Sequence, residues 1–524
     1  MEQQYDAIVI GSGIGGLTTA SILAKLKNKK VLVLEKHWTI GGLTHEFERK
    51  RKYSWDVGLH YVGQMDDYDF FPGIMRYITD DKVDWVKMEE PYDIFMYPDH
   101  RIEVPNSGRA FNQMLQDRFP EEKEAIKQYF EDMLDLSNWG VKKFMRTFMP
   151  GPISGILKML NNSKRGLAMQ TTQEYLDTRF KNDELKAILV SQWGDYGEAP
   201  ESSCLFAHAL VVSHFLKGGF YPKGGSKSIA ESIIPVIERA GGKCIVNCEV
   251  KEILVENGTA VGCSCEIKKG RKTEQITFKA PIIISNVGAH GTFRKLLKNP
   301  MYPELEKDIH LSGASAITLY LGFKDDPRKL KEIKGGNMWI FKSYDHNQMA
   351  KNFNPLQDEL SFCFASFPSI KDPSNTQHTG ELISFSNYKF FKEWKDKNWQ
   401  ERGETYEELK ASITKRMLAF MDEQIPGFSD LVEYAELSTP LSIETFTSRA
   451  GGMMYGIPVT PERYKLDCLK PKTAIKNLYI SGSDVFVLGI AGATLGGVAA
   501  ACAVLGWSKI ISIYRQSMKM LKKP

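Results

Sequence analysis

Gly11, Gly13 and Gly16 stand in G-x-G-x-x-G spacing, and Glu35 follows 19 residues after the last of them. Together they suit one task, the holding of a nucleotide diphosphate. The first glycine permits a tight turn, the second lets backbone approach a pyrophosphate, and the third lets a helix pack close on a strand. Gly15 lies within the same turn and is counted as a contact. An acid about 20 residues downstream meets a ribose hydroxyl, and Lys36 beside it joins the set. A second group of side chains could move protons: His60, Tyr61, His208, His214 and Tyr221. Such groups can act as general acids or bases. His208 and His214 are six residues apart, a spacing that does not share a helical face. No His/Cys/carboxylate cluster has metal-ligand spacing, so no metal is expected.

These residues need elements to hold them. The run 6–10 (DAIVI) reads as a buried parallel strand, residues 14–26 as a helix, and "KVLVLE" as a second strand ending at Glu35. The helix N-terminus would aim its free amides at the phosphates. A double glycine, Gly41-Gly42, follows in "EKHWTIGGLTHEF". It allows backbone to approach the ribityl-pyrophosphate arm of an extended FAD, with Leu43 and Thr44 just beyond. Residues 226–240 read as an amphipathic helix. The text that follows reads as a strand hairpin turning at Asn257-Gly258.

The glycine pattern resembles that of the FAD-containing amine oxidase and carotenoid desaturase superfamily. Many members have Arg after the double glycine, where this chain has Leu43; that shifts the phosphate arm onto backbone amides. At the far end, residues 485–507 form 23 residues without a formal charge, long enough to span a bilayer. Their glycines make a poor lipid-facing helix, and the stretch "SGSDVFVLGIAGATLGG" resembles flavoprotein C-termini instead. That resemblance implies that Asp484 bonds the ribityl or pyrophosphate region and that amides near Ile490 and Ala491 meet the flavin. Two more stretches, "HALVVSHFLKGGFYPKGGSKSIAESIIPVIERAGGKCIVNCEVKEIL" (208–254) and "TFTSRAGGMMYG" (445–456), join "DVGLHYVG" (56–63) and "IIISNVG" (282–288) in collinear order. They resemble the retinol saturase-like branch of the carotenoid desaturase and isomerase flavoproteins, over essentially the whole chain. The resemblance implies a backbone contact from Val250 to the adenine end. It also places His60 and Tyr61 just past a flavin-contacting strand, as cofactor neighbours and best-placed proton donors.

The implied fold is α/β, with a discontinuous Rossmann-like FAD-binding domain (1–75, 222–290 and 468–508). An α+β substrate domain (76–221 and 291–467) completes it, as in amine oxidases and phytoene desaturases. The implied reaction is flavin-dependent chemistry on C=C bonds of a lipidic isoprenoid or polyene, most simply saturation. A carotenoid desaturase or cis-trans isomerase would use the same motifs. An amine oxidase is disfavoured by Leu43, and a prenyl-binding relative of the GDP-dissociation inhibitors by the intact cradle. No second G-x-G-x-x-G marks a stable NAD(P) site, so the electron donor or acceptor stays unassigned.

Composition narrows the partners. A formal net charge of +4 is too weak to imply nucleic acid. Eight cysteines in 524 residues read as reduced core residues rather than a disulfide scaffold. The N-terminus carries no cationic leader, which predicts a cytoplasmic protein. From Leu136 to Gln173 there is no acid, and Lys142, Lys143, Arg146, Lys158, Lys164 and Arg165 flank "FMRTFMPGPISGILKML". The tail 509–524 adds Lys509, Arg515, Lys519, Lys522 and Lys523 in an amphipathic pattern. Such segments suit an anionic bilayer surface. They predict peripheral membrane association through 136–173, with a tunnel mouth near 140–165 and Phe144, Phe148, Ile156 and Leu157 as anchors.

Overall fold

In the computed structural model, which describes residues 4–521 apart from 67–68, 161–162, 271, 308–312, 353 and 355–358, Ala7–Ile10 is the middle strand of a five-stranded parallel sheet. The order across the sheet is Leu478–Ile480, Ile283–Ser285, Ala7–Ile10, Val31–Leu34 and Lys243–Ile245. Strands covered on both faces need continuous apolar runs, and "AIVI" and "VLVL" are buried at every position. The chain winds outward from the first strand in both directions. A switch point therefore lies at the carboxyl ends of Ala7–Ile10 and Ile283–Ser285, where such sheets bind ligands.

The first helix, Ile14–Lys27, lies against a glycine-rich helix, Gly489–Leu505. A Cβ at Gly497 would sit 2.4 Å from the Gly15 carbonyl oxygen. The small residues of the uncharged stretch thus serve a backbone-to-backbone helix crossing inside the protein. Among the described residues no helix is long and apolar enough to cross a membrane. The sequence 248–279 forms a three-stranded antiparallel meander. Its first turn has Asn257 at φ 48° and Gly258 at φ 75°, the positive values a two-residue hairpin turn needs.

A second sheet has seven strands, in the order Val432–Ser438, Ser315–Phe323, Thr379–Ser386, Phe362–Ser366, Asn337–Phe341, Asp93–Met96 and Arg101–Val104. Its pairings are antiparallel except that Asn337–Phe341 runs parallel to Asp93–Met96. Alternation gives it two faces. Ile317, Leu319, Ile340, Cys363 and Leu382 pack into a core with the helix Glu404–Gln424. Thr318, Tyr320, Trp339, Phe362, Phe364, Ile383 and Phe385 face the other way, into a cavity.

The sequence 509–521 is not a free tail. The helix Lys509–Met520 docks on Phe70–Ile78 and buries Ile513 and Ser517. Lys522 and Lys523 lie outside the described residues.

Candidate active site

A cavity of about 1170 Å³ runs from the switch point of the parallel sheet to the aromatic face of the second sheet. Gly11, Gly13, Gly15, Glu35, Lys36, Gly42, Leu43, Thr44, Val250, Asp484, Ile490 and Ala491 all line it. Gly16 does not. A Cβ there would lie 2.4 Å from the Gly11 carbonyl oxygen, so Gly16 is a packing glycine.

The cradle fits a dinucleotide on physical grounds. Neither the first helix nor the glycine-rich helix has a side-chain N-cap, and both open their N-termini on the cavity. Uncapped helix amides are donors awaiting an acceptor, and the dipole there favours an anion. Gly13 has ordinary backbone angles, and a Cβ there would meet only Asn286 Nδ2, at 3.0 Å. Protein packing makes little demand for glycine at that point, whereas an approaching pyrophosphate does.

The acids of the cradle are already organised. Ser12 donates to Glu35 Oε2 through its backbone N–H (2.8 Å) and its hydroxyl (2.5 Å), and the His37 N–H donates to Oε1 (2.8 Å). These bonds fix the carboxylate at the end of its strand. Asp484 accepts from the Ala289 N–H (2.8 Å) and the Ile457 N–H (3.4 Å). It therefore ties together the backbone at Ala289 and at Ile457. Lys36 donates to the Thr445 carbonyl and the Ser448 hydroxyl, and burial lowers its pKa. Thr44 is spent on a bond to the Gly41 carbonyl (2.8 Å).

The other end of the cavity holds the proton-bearing groups. His60 borders it, with its ring 5.3 Å from Phe364. Burial, aided by Lys371, pushes the imidazole down to about 3, so it is neutral. Tyr61 also lines the cavity, and its hydroxyl lies 2.7 Å from Asp195 and 3.1 Å from Asp93. One phenolic hydrogen cannot serve two carboxylates, so one of the acids carries a proton. Asp93 receives further bonds from Gln192 and Asn337; the Asp195 side chain, on the cavity wall, is bonded among the described residues by Tyr61 alone. Burial and the neighbouring Asp93 raise Asp195 well above the usual carboxylate range, and burial brings Asp93 to about 7. His214 reaches the cavity too, but its Nε2 accepts from the Gly63 N–H (2.9 Å) and its Nδ1 faces Gln64.

Two expected proton donors are elsewhere. Tyr221 is buried with its hydroxyl on Asp56 and does not line the cavity. His208 is buried between the hydroxyls of Tyr129 (2.8 Å) and Tyr196 (3.2 Å), in the helical core. Both meet their polar demand inside the protein. The residues that sequence reasoning passed over are acids: Asp93, Asp195 and Glu381. Glu381 alone left a signal, since "TGELISFS" alternates and puts it in register with Ile383 and Phe385.

Phe70 and Phe71, Val141, Phe144 and Met145, and Ile510 also line the cavity. The structure corrects some of the predicted bilayer anchors. Phe144 is buried against Phe486, with ring centroids 4.4 Å apart. Lys143 is enclosed by the rings of Trp139, Phe206 and Tyr464, and burial lowers it to about 8. Lys164 is paired with Asp135. Ile156, one of the predicted anchors, is exposed, as are Val141 and Met159 nearby and Ile511 and Tyr514 on the tail helix.

A doubly wound parallel sheet with a nucleotide cradle at its switch point, opening into a tunnel under a second sheet, defines a dinucleotide-dependent oxidoreductase. Residues 9–78 match the NAD(P)-binding Rossmann-like domain family. A putrescine oxidase solved with putrescine superposes with a TM-score of 0.62 at 15% identity, over 97% of this chain and 99% of that one; that likeness establishes the fold. The all-trans-retinol 13,14-reductase of Danio rerio is 30% identical over 96% of this chain and 86% of that protein. The chloroplastic prolycopene isomerase of Arabidopsis thaliana is 26% identical over 93% and 80%. The chain belongs to the all-trans-retinol 13,14-reductase family.

Proposed function

We propose that this chain binds FAD and saturates a C=C bond of a hydrophobic retinoid- or carotenoid-like polyene drawn from a membrane surface. The observation that carries the reading is the continuity of one cavity. It joins the nucleotide cradle to a tunnel walled by Trp339, Phe362, Phe364, Ile383 and Phe385, with His60, Tyr61 and Asp195 as its acid–base groups. The names of the relatives, a retinol reductase and a carotenoid isomerase, agree with an apolar, unsaturated substrate.

Bound reduced FAD supplies a hydride. The chain does the rest. The amides at Gly13 and Ile14 and the carboxylate of Glu35 would hold the pyrophosphate and ribose, and those at Ile490 and Ala491 the ring. The aromatic walls exclude water and align the polyene. His60 delivers the proton to the second carbon, while Tyr61, held by Asp93 and Asp195, keeps its own proton and fixes the wall. Val141, Ile156, Met159 and the tail helix would rest on the bilayer beside the mouth.

The test is anaerobic. Flavin bound to the purified protein is reduced, then mixed with all-trans-retinol and with cis and all-trans carotenoids, and the products are analysed by mass. A gain of two hydrogens with reoxidation of flavin is expected. An isomer of unchanged mass would assign the isomerase reaction instead. Protein without flavin, or flavin that no polyene reoxidises, refutes the proposal.

A further inference from the structure

Glu381 occupies a position where an apolar side chain belongs. On its strand it shares a face with Ile383 and Phe385, both of which wall the tunnel. It is fully buried, and among the described residues neither carboxyl oxygen makes a hydrogen bond. Oε2 stands 3.3 Å from His60 Nδ1, which also has no other partner. The approach is off-axis, as unliganded sites often are before they tighten. The His60 side chain keeps 16% exposure and borders the cavity. With Nδ1 enclosed, the Nε2 edge is the one left to the tunnel. Lys371 fixes this segment by donating to the His60 carbonyl (2.7 Å) and the Ser366 hydroxyl (2.6 Å).

Two facts of charge follow. A buried carboxylate without hydrogen bonds takes up a proton rather than stay ionised. Burial, reinforced by Asp56 and Glu46, holds Glu381 in its acid form against the pull of Lys371; the Asp56 main chain favours the carboxylate only weakly. Tyr221 and Tyr320 complete the titratable groups around it. His60, by contrast, is neutral. A neutral imidazole that gave up its Nε2 proton alone would become an imidazolate, a poor product in a dry site. The difficulty vanishes if Nδ1 gains a proton in the same event.

We propose that Glu381 is the proton reservoir of this site: its carboxyl O–H faces His60 Nδ1 while His60 Nε2–H faces the substrate. The proposal rests on the C=C reduction given above. In the step, the Nε2–H bond breaks and its proton forms a C–H bond at the alkene carbon next to the one that accepts hydride. The Glu381 O–H bond breaks and its proton binds Nδ1. The imidazole ends neutral as the other tautomer and Glu381 ends as a carboxylate; uptake of one proton from solvent at the bare Nε2, with the Nδ1 proton passing back to Glu381, restores both groups. Glu381 touches no substrate, so it is a positioning residue that acts through His60.

Glu381→Gln keeps the shape and removes the acid. In single turnover with flavin reduced beforehand, reoxidation by the polyene should slow about 10²–10⁴-fold, with FAD content and chemical reduction unchanged and Glu381→Asp partly restoring the rate. Infrared difference spectra of the substrate-free protein give an independent readout. Among the protonated-carboxyl carbonyl bands at neutral pH, to which the acids around Tyr61 also contribute, one should be absent in Glu381→Gln and shifted in His60→Asn. An unchanged rate in Glu381→Gln overturns the relay, and so does the absence of that band. Should the wild type reduce no polyene, the functional reading fails and the infrared band alone decides whether Glu381 loads His60. Should Glu381→Gln not fold, the wild-type band and its shift in His60→Asn carry the test.

Discussion

Gly13→Val should separate folding from cofactor binding. Gly13 sits at φ −59° and ψ 161°, a region open to any residue. The added Cβ meets only the tip of Asn286, whose Nδ2 donates to the Gly13 carbonyl at 3.3 Å. Turning that amide aside costs about one hydrogen bond, roughly 0.5–1.5 kcal/mol. The new methyl groups enter the cradle before the uncapped first helix. Gly497→Ala is the opposite case. Its Cβ would lie 2.4 Å from the Gly15 carbonyl oxygen and 2.7 Å from Thr18 Cβ, so two helices must part, at about 1–3 kcal/mol or more. The assay is urea unfolding with and without added FAD, together with flavin absorbance after gel filtration. A ligand at a hundred times its Kd stabilises by about 2.7 kcal/mol. Gly13→Val should lose that increment and keep most of the apoprotein's stability; Gly497→Ala should lose apoprotein stability itself. A folded Gly13→Val protein with full FAD occupancy would refute the placement of the pyrophosphate.

Two further outcomes are expected. Binding to anionic liposomes should weaken with salt and drop in an Ile156→Asp, Met159→Asp variant, since these side chains are 60% and 81% exposed; co-sedimentation indifferent to both would remove the membrane from the proposal. Asp93 is raised from 3.8 to about 7 by burial, so the folded state holds a proton that the unfolded state has lost. Its contribution is fully present below about pH 4 and fades as pH rises through 7, by up to about 1.4 kcal/mol per pH unit. Asp93→Asn should flatten that slope in urea titrations at successive pH values, and an unchanged slope would contradict the protonated dyad around Tyr61.

The cradle was legible because each of its residues is imposed by backbone geometry over a short span. Gly11, Gly16 and Glu35 are placed by one strand–helix–strand unit, and the turn at Asn257-Gly258 by its own dihedral angles. The tunnel was less legible because its parts meet only in three dimensions. His60 and Tyr61 came through by adjacency to the cradle. Tyr221 and His208 have the same chemistry in sequence, but Asp56 and the pair Tyr129 and Tyr196 absorb them, and such partners lie 12 to 165 residues away. The membrane segment failed in the same way at Phe144 and Lys143, which a charge-and-apolar pattern cannot distinguish from their exposed neighbours.

The acids are the most instructive omission. Asp195 looks like a surface residue in a sequence, since unpaired charges are seldom buried, and only the alternation of its strand speaks against the same reading of Glu381. Each is tolerated because it is not charged, and each is uncharged because the aromatic walls that would suit a polyene also withhold water. A site that must protonate carbon away from solvent needs its proton stored in advance, in a group that gives it up only when another charge is rearranged nearby. Burying a carboxyl beside a neutral imidazole meets that need with no ion to desolvate. The apolarity of the tunnel and the acidity at its wall are therefore one design constraint, set by the strand alternation that puts Glu381, Ile383 and Phe385 on a single face.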